Sequence, residues 1–220
     1  MKILVLLLSI CPALTVLAQE PESRPNSRSF IRIDRVGNTR ANSFFVFTTS
    51  DRHYTVRQDG LVESDFAELK RRRTFKMKTE GGRLERLFVA EFQGDLLMAY
   101  EVSNGNSGWA YLARLNQKAR TFRWITSITG TNLGPGLIDE GAVYLTAQNL
   151  LAKLELQSGD YVWQSEVKQK SAPAFVEFVL PEIHGQRVTF RENGQRARVI
   201  QADKESGDNL QLILTNVRQP

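Results

Sequence analysis

The sequence predicts an all-β chain built from repeated four-stranded units. Three observations carry this. Strand-like runs dominate from Phe30 onward, turn signals recur about every ten residues, and the second half of the chain repeats itself. The runs are short and rich in β-branched and aromatic residues, which suit a pleated, half-buried surface. They include Ser43 to Thr49 (SFFVFTT), His53 to Arg57 (HYTVR), Leu87 to Phe92 (LFVAEF), Leu96 to Val102 (LLMAYEV), Ala142 to Ala147 (AVYLTA) and Arg187 to Phe190 (RVTF). Asp-Gly, Gly-Gly, Gly-Asp, Asn-Gly and Ser-Gly pairs punctuate them.

Two segments read locally as helix. Ser64 to Arg73 (SDFAELKRRR) opens on a good N-cap and continues with strong helix formers, so a short helix is expected there. Asn149 to Gln157 (NLLAKLELQ) is also helix-like, but Ala152, Leu154 and Leu156 fit a two-residue period equally well. The repeat decides it. Tyr111 to Trp124 (YLARLNQKARTFRW) aligns without a gap over Leu150 to Trp163 (LLAKLELQSGDYVW). Leu112 falls on Leu151, Ala113 on Ala152, Arg114 on Lys153, Leu115 on Leu154, Phe122 on Tyr161 and Trp124 on Trp163. A third copy is weaker: Ser206-Gly207-Asp208 repeats Ser158-Gly159-Asp160 behind the strand-like Arg198 to Ala202. Self-similarity at about 40 residues is the size of one propeller blade. The predicted fold is therefore a small or partial β-propeller of about four four-stranded blades. In the clearest unit Gly134 to Glu140 is innermost, Ala142 to Ala147 second, Leu150 to Leu156 third and Tyr161 to Val167 outermost. Ser-Gly-Asp makes the last hairpin turn, its glycine supplying the positive φ.

The N-terminus has a different character. Lys2 provides a positive n-region, Ile3 to Leu17 form an apolar run, and Val16-Leu17-Ala18 suits a signal peptidase. The run is shorter than the roughly 20 residues of a spanning helix, so residues 1–18 are expected to be a cleaved signal peptide. A lipoprotein signal would need a small residue before Cys11, where Ile10 stands. Cys11 is the one cysteine, so the mature chain would have none. That excludes thiolate zinc sites, iron–sulfur clusters and thiol nucleophiles. Residues 19–29 carry prolines, serines and no hydrophobic side chain, and read as a flexible lead-in to a single domain over 30–220. No later stretch is long and apolar enough to cross a bilayer. The formal net charge of +5 drops by one with Lys2, which is too mild to imply a nucleic-acid partner.

Gly141 to Glu166 (GAVYLTAQNLLAKLELQSGDYVWQSE) resembles the repeat of quinoprotein-type, PQQ-like β-propellers. That repeat runs from a glycine through a "vyv" strand and a strand ending "aLd" to "tGk..W". The likeness extends less closely over Gly94 to Ser127 and faintly over Gly185 to Leu214. An earlier unit around Ser43 to Leu69 rests on strand pattern alone. The resemblance implies that Trp124 and Trp163 pack between neighbouring blades. The family includes dehydrogenases holding pyrroloquinoline quinone and also cofactor-free periplasmic scaffolds. A quinone would need many convergent ligands and a larger ring, so a cofactor-free member is expected, with no cofactor bound. Propellers usually have four to eight blades. No strand exchange joining the two ends is visible, so the ring stays open or gains a further blade.

Few residues invite chemistry. Asp51 and His53, and Glu182 and His184, are two apart, so on strands each pair shares one side. Brought together, they would build a metal or acid–base site. Isolated surface histidines are the plainer reading. Thr129 to Gly141 (TGTNLGPGLIDEG) matches no phosphate-binding loop and reads as the crossing between two blades. Lys70 with Arg71, Arg72 and Arg73, followed by Lys76 and Lys78, is the one charge cluster. It suits an acidic partner or an anionic envelope surface, although such runs are commonly just solvated. The loop Ser103 to Gly108 (SNGNSG) is polar and suited to contacts.

No nucleophile elbow, HExxH or calcium loop is visible. The expected function is an exported, secreted or periplasmic binding or scaffolding module without catalysis. It would recognise another exported protein or an envelope component, with Arg71, Arg72 and Arg73 as candidate contacts. The alternative is an enzyme, either a degenerate quinoprotein or a hydrolase using the His–carboxylate pairs.

Overall fold

A computed structural model describes residues 28–36, 44–49, 52–57, 60–65, 72–148, 150–167, 177–193 and 198–214. Three two-residue strands come first: β1 (Arg28–Ser29), β2 (Ile31–Arg32) and β3 (Arg35–Val36). Sixteen more fall into antiparallel groups of four. The first group is β4 (Phe44–Thr48), β5 (Arg52–Arg57), β6 (Gly60–Asp65) and β7 (Arg72–Phe75). The second is β8 (Arg83–Phe92), β9 (Asp95–Ser103), β10 (Gly108–Asn116) and β11 (Thr121–Ile128). The third is β12 (Leu137–Asp139), β13 (Ala142–Ala147), β14 (Leu150–Glu155) and β15 (Tyr161–Glu166). The fourth is β16 (Glu182–His184), β17 (Arg187–Arg191), β18 (Arg198–Asp203) and β19 (Gln211–Leu214).

The sheets stack in chain order, and side-chain alternation shows how. In β9, Leu96, Met98 and Tyr100 join a core with Phe45, Phe47, Tyr54 and Val56 of the first sheet. Leu97 and Ala99, from the other face of the same strand, join a core with Val143, Leu145, Ala152 and Leu154 of the third. A strand buried on both faces reads as a continuous apolar run, as LLMAYEV does. The third and fourth sheets meet through Tyr144, Leu151 and Trp163 against Val188, Phe190, Ile200 and Ala202. Among the described residues no core joins the fourth sheet to the first.

The small N-terminal strands hold this stack at its axis. β3 pairs with β4, β2 with β8 and β1 with β12, so each innermost strand gains a neighbour from one strap. The strap visits the third, second and first sheets in turn. An extended segment over residues 28–36 reaches about 30 Å at most, so the three inner strands converge on a common axis. Phe30 drops into the core between the second and third sheets, and Ile33 packs on the core between the first and second. The Phe30 N–H donates to the Gly136 carbonyl (2.9 Å), and the Ile33 N–H to that of Leu87 (2.9 Å). These sheets around one axis make the fold a small, partial β-propeller of four blades.

The clearest unit matches its expected strands, and Asn149 to Gln157 is β-structure through β14 (Leu150–Glu155), as the repeat indicated. Two expectations change. Both ends of the segment read as helix are strand: Ser64 and Asp65 end β6, and Arg72 and Arg73 begin β7, with residues 66–71 outside the described set. Antiparallel pairing of Ser64 with Arg72 and Glu63 with Arg73 overrides local helix propensity. Arg28 and Ser29, assigned to a flexible lead-in, instead pair with Ile138 and Leu137. The rest of that lead-in and residues 1–18 lie outside the described residues.

Successive blades are joined by one repeated contact. Trp124 on β11 lies against Gly159 in the β14–β15 turn of the next sheet, and its Nε1–H donates to the Leu156 carbonyl (3.2 Å). Trp163 on β15 does the same one blade on, against Gly207, donating to Lys204 O (3.1 Å). A Cβ at either glycine would stand 2.5 Å from the indole. Thr126 and Ser165 complete the pattern by donating to the carbonyls of Gly159 and Gly207 (2.7 and 2.9 Å). Trp163→Ala should therefore destabilise the protein by about 3–5 kcal/mol. Trp124→Ala should cost less, because that indole is only half-buried. Urea unfolding checks both, and wild-type midpoints would contradict the packing described.

Candidate functional site

The strap and the inner strands enclose a cleft of about 320 Å³. Ser29, Phe30 and Arg32 of the strap form one wall, and Arg86 and Phe88 of β8 the next. Leu133 and Pro135, from the crossing between the second and third sheets, face Glu177, Phe178 and Leu180, which lead into β16. The segment Thr129 to Gly141 is thus the blade crossing the sequence indicated, and it also furnishes part of this wall.

Arg86 organises the floor. A register shift in β8 between Leu84 and Arg86 accompanies its placement there. Its guanidinium meets Glu177 (3.1 Å) and lies 3.7 Å from Glu101. It also donates to Asn132 Oδ1 (3.4 Å) and to the Leu133 carbonyl (3.5 Å). Glu101 in turn accepts the Leu133 N–H (3.1 Å). Arg86 therefore ties the second sheet, the crossing and the approach to the fourth sheet together. Its charge is spent internally. Arg32 differs: it is exposed at the cleft wall, and Leu180 and Ile31 nearby leave apolar surface in water, 36% and 66% exposed. The arrangement offers a cation, carboxylates and apolar patches beside unpaired sheet edge, which suits recognition of a polypeptide.

The residues singled out in the sequence disperse. His53 is on β5, its Nδ1 2.9 Å from Thr48 Oγ1, and His184 is on β16, its Nε2 3.2 Å from Glu182 Oε2. They belong to the first and fourth sheets, and Asp51 lies outside the described residues. Among the described residues no group of three His, Cys, Asp or Glu is placed to hold a metal ion. Arg72 and Arg73 sit on β7, while Lys70 and Arg71 lie outside the described residues. The loop Ser103 to Gly108 closes on itself, with Asn104 Oδ1 accepting the N–H groups of Asn106 and Ser107 (3.1 and 2.9 Å). The cleft was not foreseen, because its walls come from segments with no shared motif.

Further buried ions lie between blades. Arg114 of β10 bonds Asp95 (2.6 Å) and the Leu156 carbonyl of the next sheet (2.7 Å). Lys153, its counterpart in the repeat, reaches Glu205 of the fourth sheet (2.7 Å). Lys204 reaches back to Asp139 (2.7 Å) and Glu140 (2.6 Å), with only 4% of its side chain exposed. Burial disfavours the Lys204 ammonium, but hydrogen bonds and charge from Asp139 and Glu140 outweigh it and leave the pKa raised.

The class these features define is a small or partial β-propeller with a strap-walled cleft. No protein-family model matches the chain, and no curated protein matches it. Similar solved structures include BamB from Moraxella catarrhalis, with a TM-score of 0.48 and 14% identity over 81% of this chain and 50% of that one. The quinohemoprotein alcohol dehydrogenase ADHIIG from Pseudomonas putida HK5 gives 0.41 and 14% over 55% of this chain and 19% of that one. The WD40 domain of SCAP from fission yeast gives 0.41 and 8% over 90% and 51%. The chain spans about half the length of the first and third of these, and less of the second.

A pH dependence follows from Lys204. Because its folded-state pKa is raised, its stabilisation is fully present below the ordinary lysine value of 10.5 and is lost only as pH rises through the folded-state value. Lys204→Met removes the ammonium beside the buried Asp139 and should cost roughly 3 kcal/mol near neutral pH. On the alkaline side the gap to wild type should hold from neutral pH up to the ordinary lysine value and narrow only in strongly alkaline solution. Melting temperatures from neutral to strongly alkaline pH check this, and a gap that closes between neutral pH and the ordinary lysine value of 10.5 would contradict it.

Proposed function

We propose that this chain is an exported, non-catalytic module that binds another exported protein or an envelope component through its axial cleft. The observation that supports this reading is the cleft itself, walled by the strap, β8, the crossing and the approach to β16, with Leu180 and Arg32 exposed on its walls. Exposed apolar groups beside a cation on a rigid scaffold are the makings of a contact surface. The N-terminal sequence supports export, with Lys2, the apolar run to Leu17 and Ala18 as its signal. The site is secreted or periplasmic on this reading, and no cofactor is needed. The basic stretch Arg71, Arg72 and Arg73 adds attraction for an acidic partner or anionic envelope surface, which salt would weaken.

The test is a pull-down from envelope extract with the mature chain as bait, at low and high salt. An Arg32→Glu, Leu180→Asp variant serves as the comparison, and both baits are first shown to melt alike. The wild type should retain a component that the variant loses. Retention of nothing, or of the same components by both baits, would overturn the reading.

A further inference from the structure

Three of the four sheets have five strands, because the strap adds one to the inner edge of each. The fourth sheet has four strands, and its inner strand β16 has β17 as its only ladder partner among the described residues. An unpaired edge presents outward N–H and C=O groups ready to accept another strand. This edge lies open: the side chains of Glu182 and His184 are 52% and 63% exposed. It also continues from the cleft wall, since Glu177, Phe178 and Leu180 line the cleft just before β16 begins.

The strap shows what such an edge accepts. Its pairs are Arg28-Ser29, Ile31-Arg32 and Arg35-Val36, each with one arginine. The guanidinium of Arg28 donates to the Glu91 carbonyl (3.1 Å), and that of Arg35 to the Glu85 carboxylate (2.7 Å). Around β16 the exposed charge is again acidic, from Glu182 and from Glu177, whose side chain is 42% exposed beside Arg86. Of the two arginines on β17, Arg187 is turned to the Asn209 carbonyl (3.1 Å), and Arg191 is exposed at the far end of the strand. Leu180 offers an apolar rest for a side chain one step along.

We propose that the free edge of β16 takes an extended, arginine- or lysine-bearing segment of a partner protein as the fifth strand of the fourth sheet. Main-chain hydrogen bonds to the edge hold the segment, and its basic side chains meet Glu182 and Glu177. Alternate side chains of an added strand give such binding its selectivity. This rests on the reading of the chain as a partner-binding module and states where and in what form the partner binds.

The probe is a fluorescein-labelled peptide copying residues 28–36 (RSFIRIDRV), with a control whose three arginines are glutamates. Anisotropy with the full mature chain should rise for the basic peptide and not for the acidic one. Hydrogen exchange should show new protection at 182–184. Glu182→Arg, an exposed change that spares the fold, should weaken binding by about tenfold through like-charge repulsion. Ile183→Pro should abolish it by removing an edge N–H. Absence of binding, unchanged binding in Glu182→Arg, or protection at β4, β8 or β12 instead would overturn the proposal. So would binding seen only after residues 19–27 are removed, since the chain itself would then be filling the edge. A pull-down that retains an envelope partner while the peptide fails would sink this edge and leave the module reading standing.

Discussion

An indole laid against a glycine turn is the contact on which the stacking of these sheets depends. Between the second and third blades, and again between the third and fourth, a tryptophan on the outermost strand covers the last hairpin turn of its neighbour. The glycine is required twice over. Its φ is +81° at 159 and +73° at 207, and a Cβ would strike the ring. The second blade supplies the contrast. The repeat places Arg120 at the same point of its turn, with φ +62°. Blade one carries no tryptophan to cover that turn, and Phe75 meets Phe122 edge-on there instead (6.5 Å). A side chain is tolerated where nothing presses on the turn. Tryptophan and glycine thus occur as a pair, one from each of two adjacent blades.

The strap answers a different constraint. A propeller with few blades has inner strands whose edges face the axis unpaired, and many closed propellers avoid loose ends by sharing a sheet between the termini. Here the N-terminal segment crosses three inner edges and joins no described part of the fourth sheet. The face of that sheet turned away from the third is mixed, with Val199 and Thr189 both buried on it. Register aligns Glu182, Thr189, Gln201 and Gln211 across its four strands, with Gln201 donating to Thr189 Oγ1 (3.3 Å). Among the described residues no strand lies beside the inner edge of that sheet.

Much of this was legible in the sequence. The gapless match of Tyr111 to Trp124 with Leu150 to Trp163 located the second and third blades, and it set both tryptophans in their structural role. The same offset pairs Thr126 with Ser165, which make equivalent contacts with the next blade, and Arg114 with Lys153, which both reach it, one at a carbonyl and the other at a carboxylate. The first blade was harder, since it lacks the tryptophan and its hairpin β6–β7 is built from residues with helix propensity at Ser64 to Asp65 and Arg72 to Arg73. The strap was invisible for a physical reason. Two-residue strands have no period, and their partners lie far along the chain, as Arg28 pairs with Ile138. The cleft inherits that opacity, because Arg32, Arg86, Leu133 and Leu180 share no spacing and are gathered only when the strap is laid down.

The central claim is that Trp163 and Gly207 form one unit, and a double-mutant cycle tests it most directly. Gly141 provides the reference: its φ of +80° resembles that of Gly207, but an added Cβ there meets nothing within 4 Å. Gly141→Ala should therefore cost only backbone strain, roughly 1–2 kcal/mol. In the wild-type background Gly207→Ala should cost clearly more, because its methyl meets the indole. In a Trp163→Ala background the cost of Gly207→Ala should fall to that of Gly141→Ala. Measured by urea unfolding, equal costs for Gly207→Ala with and without Trp163 would show that the two residues act independently and would contradict the account.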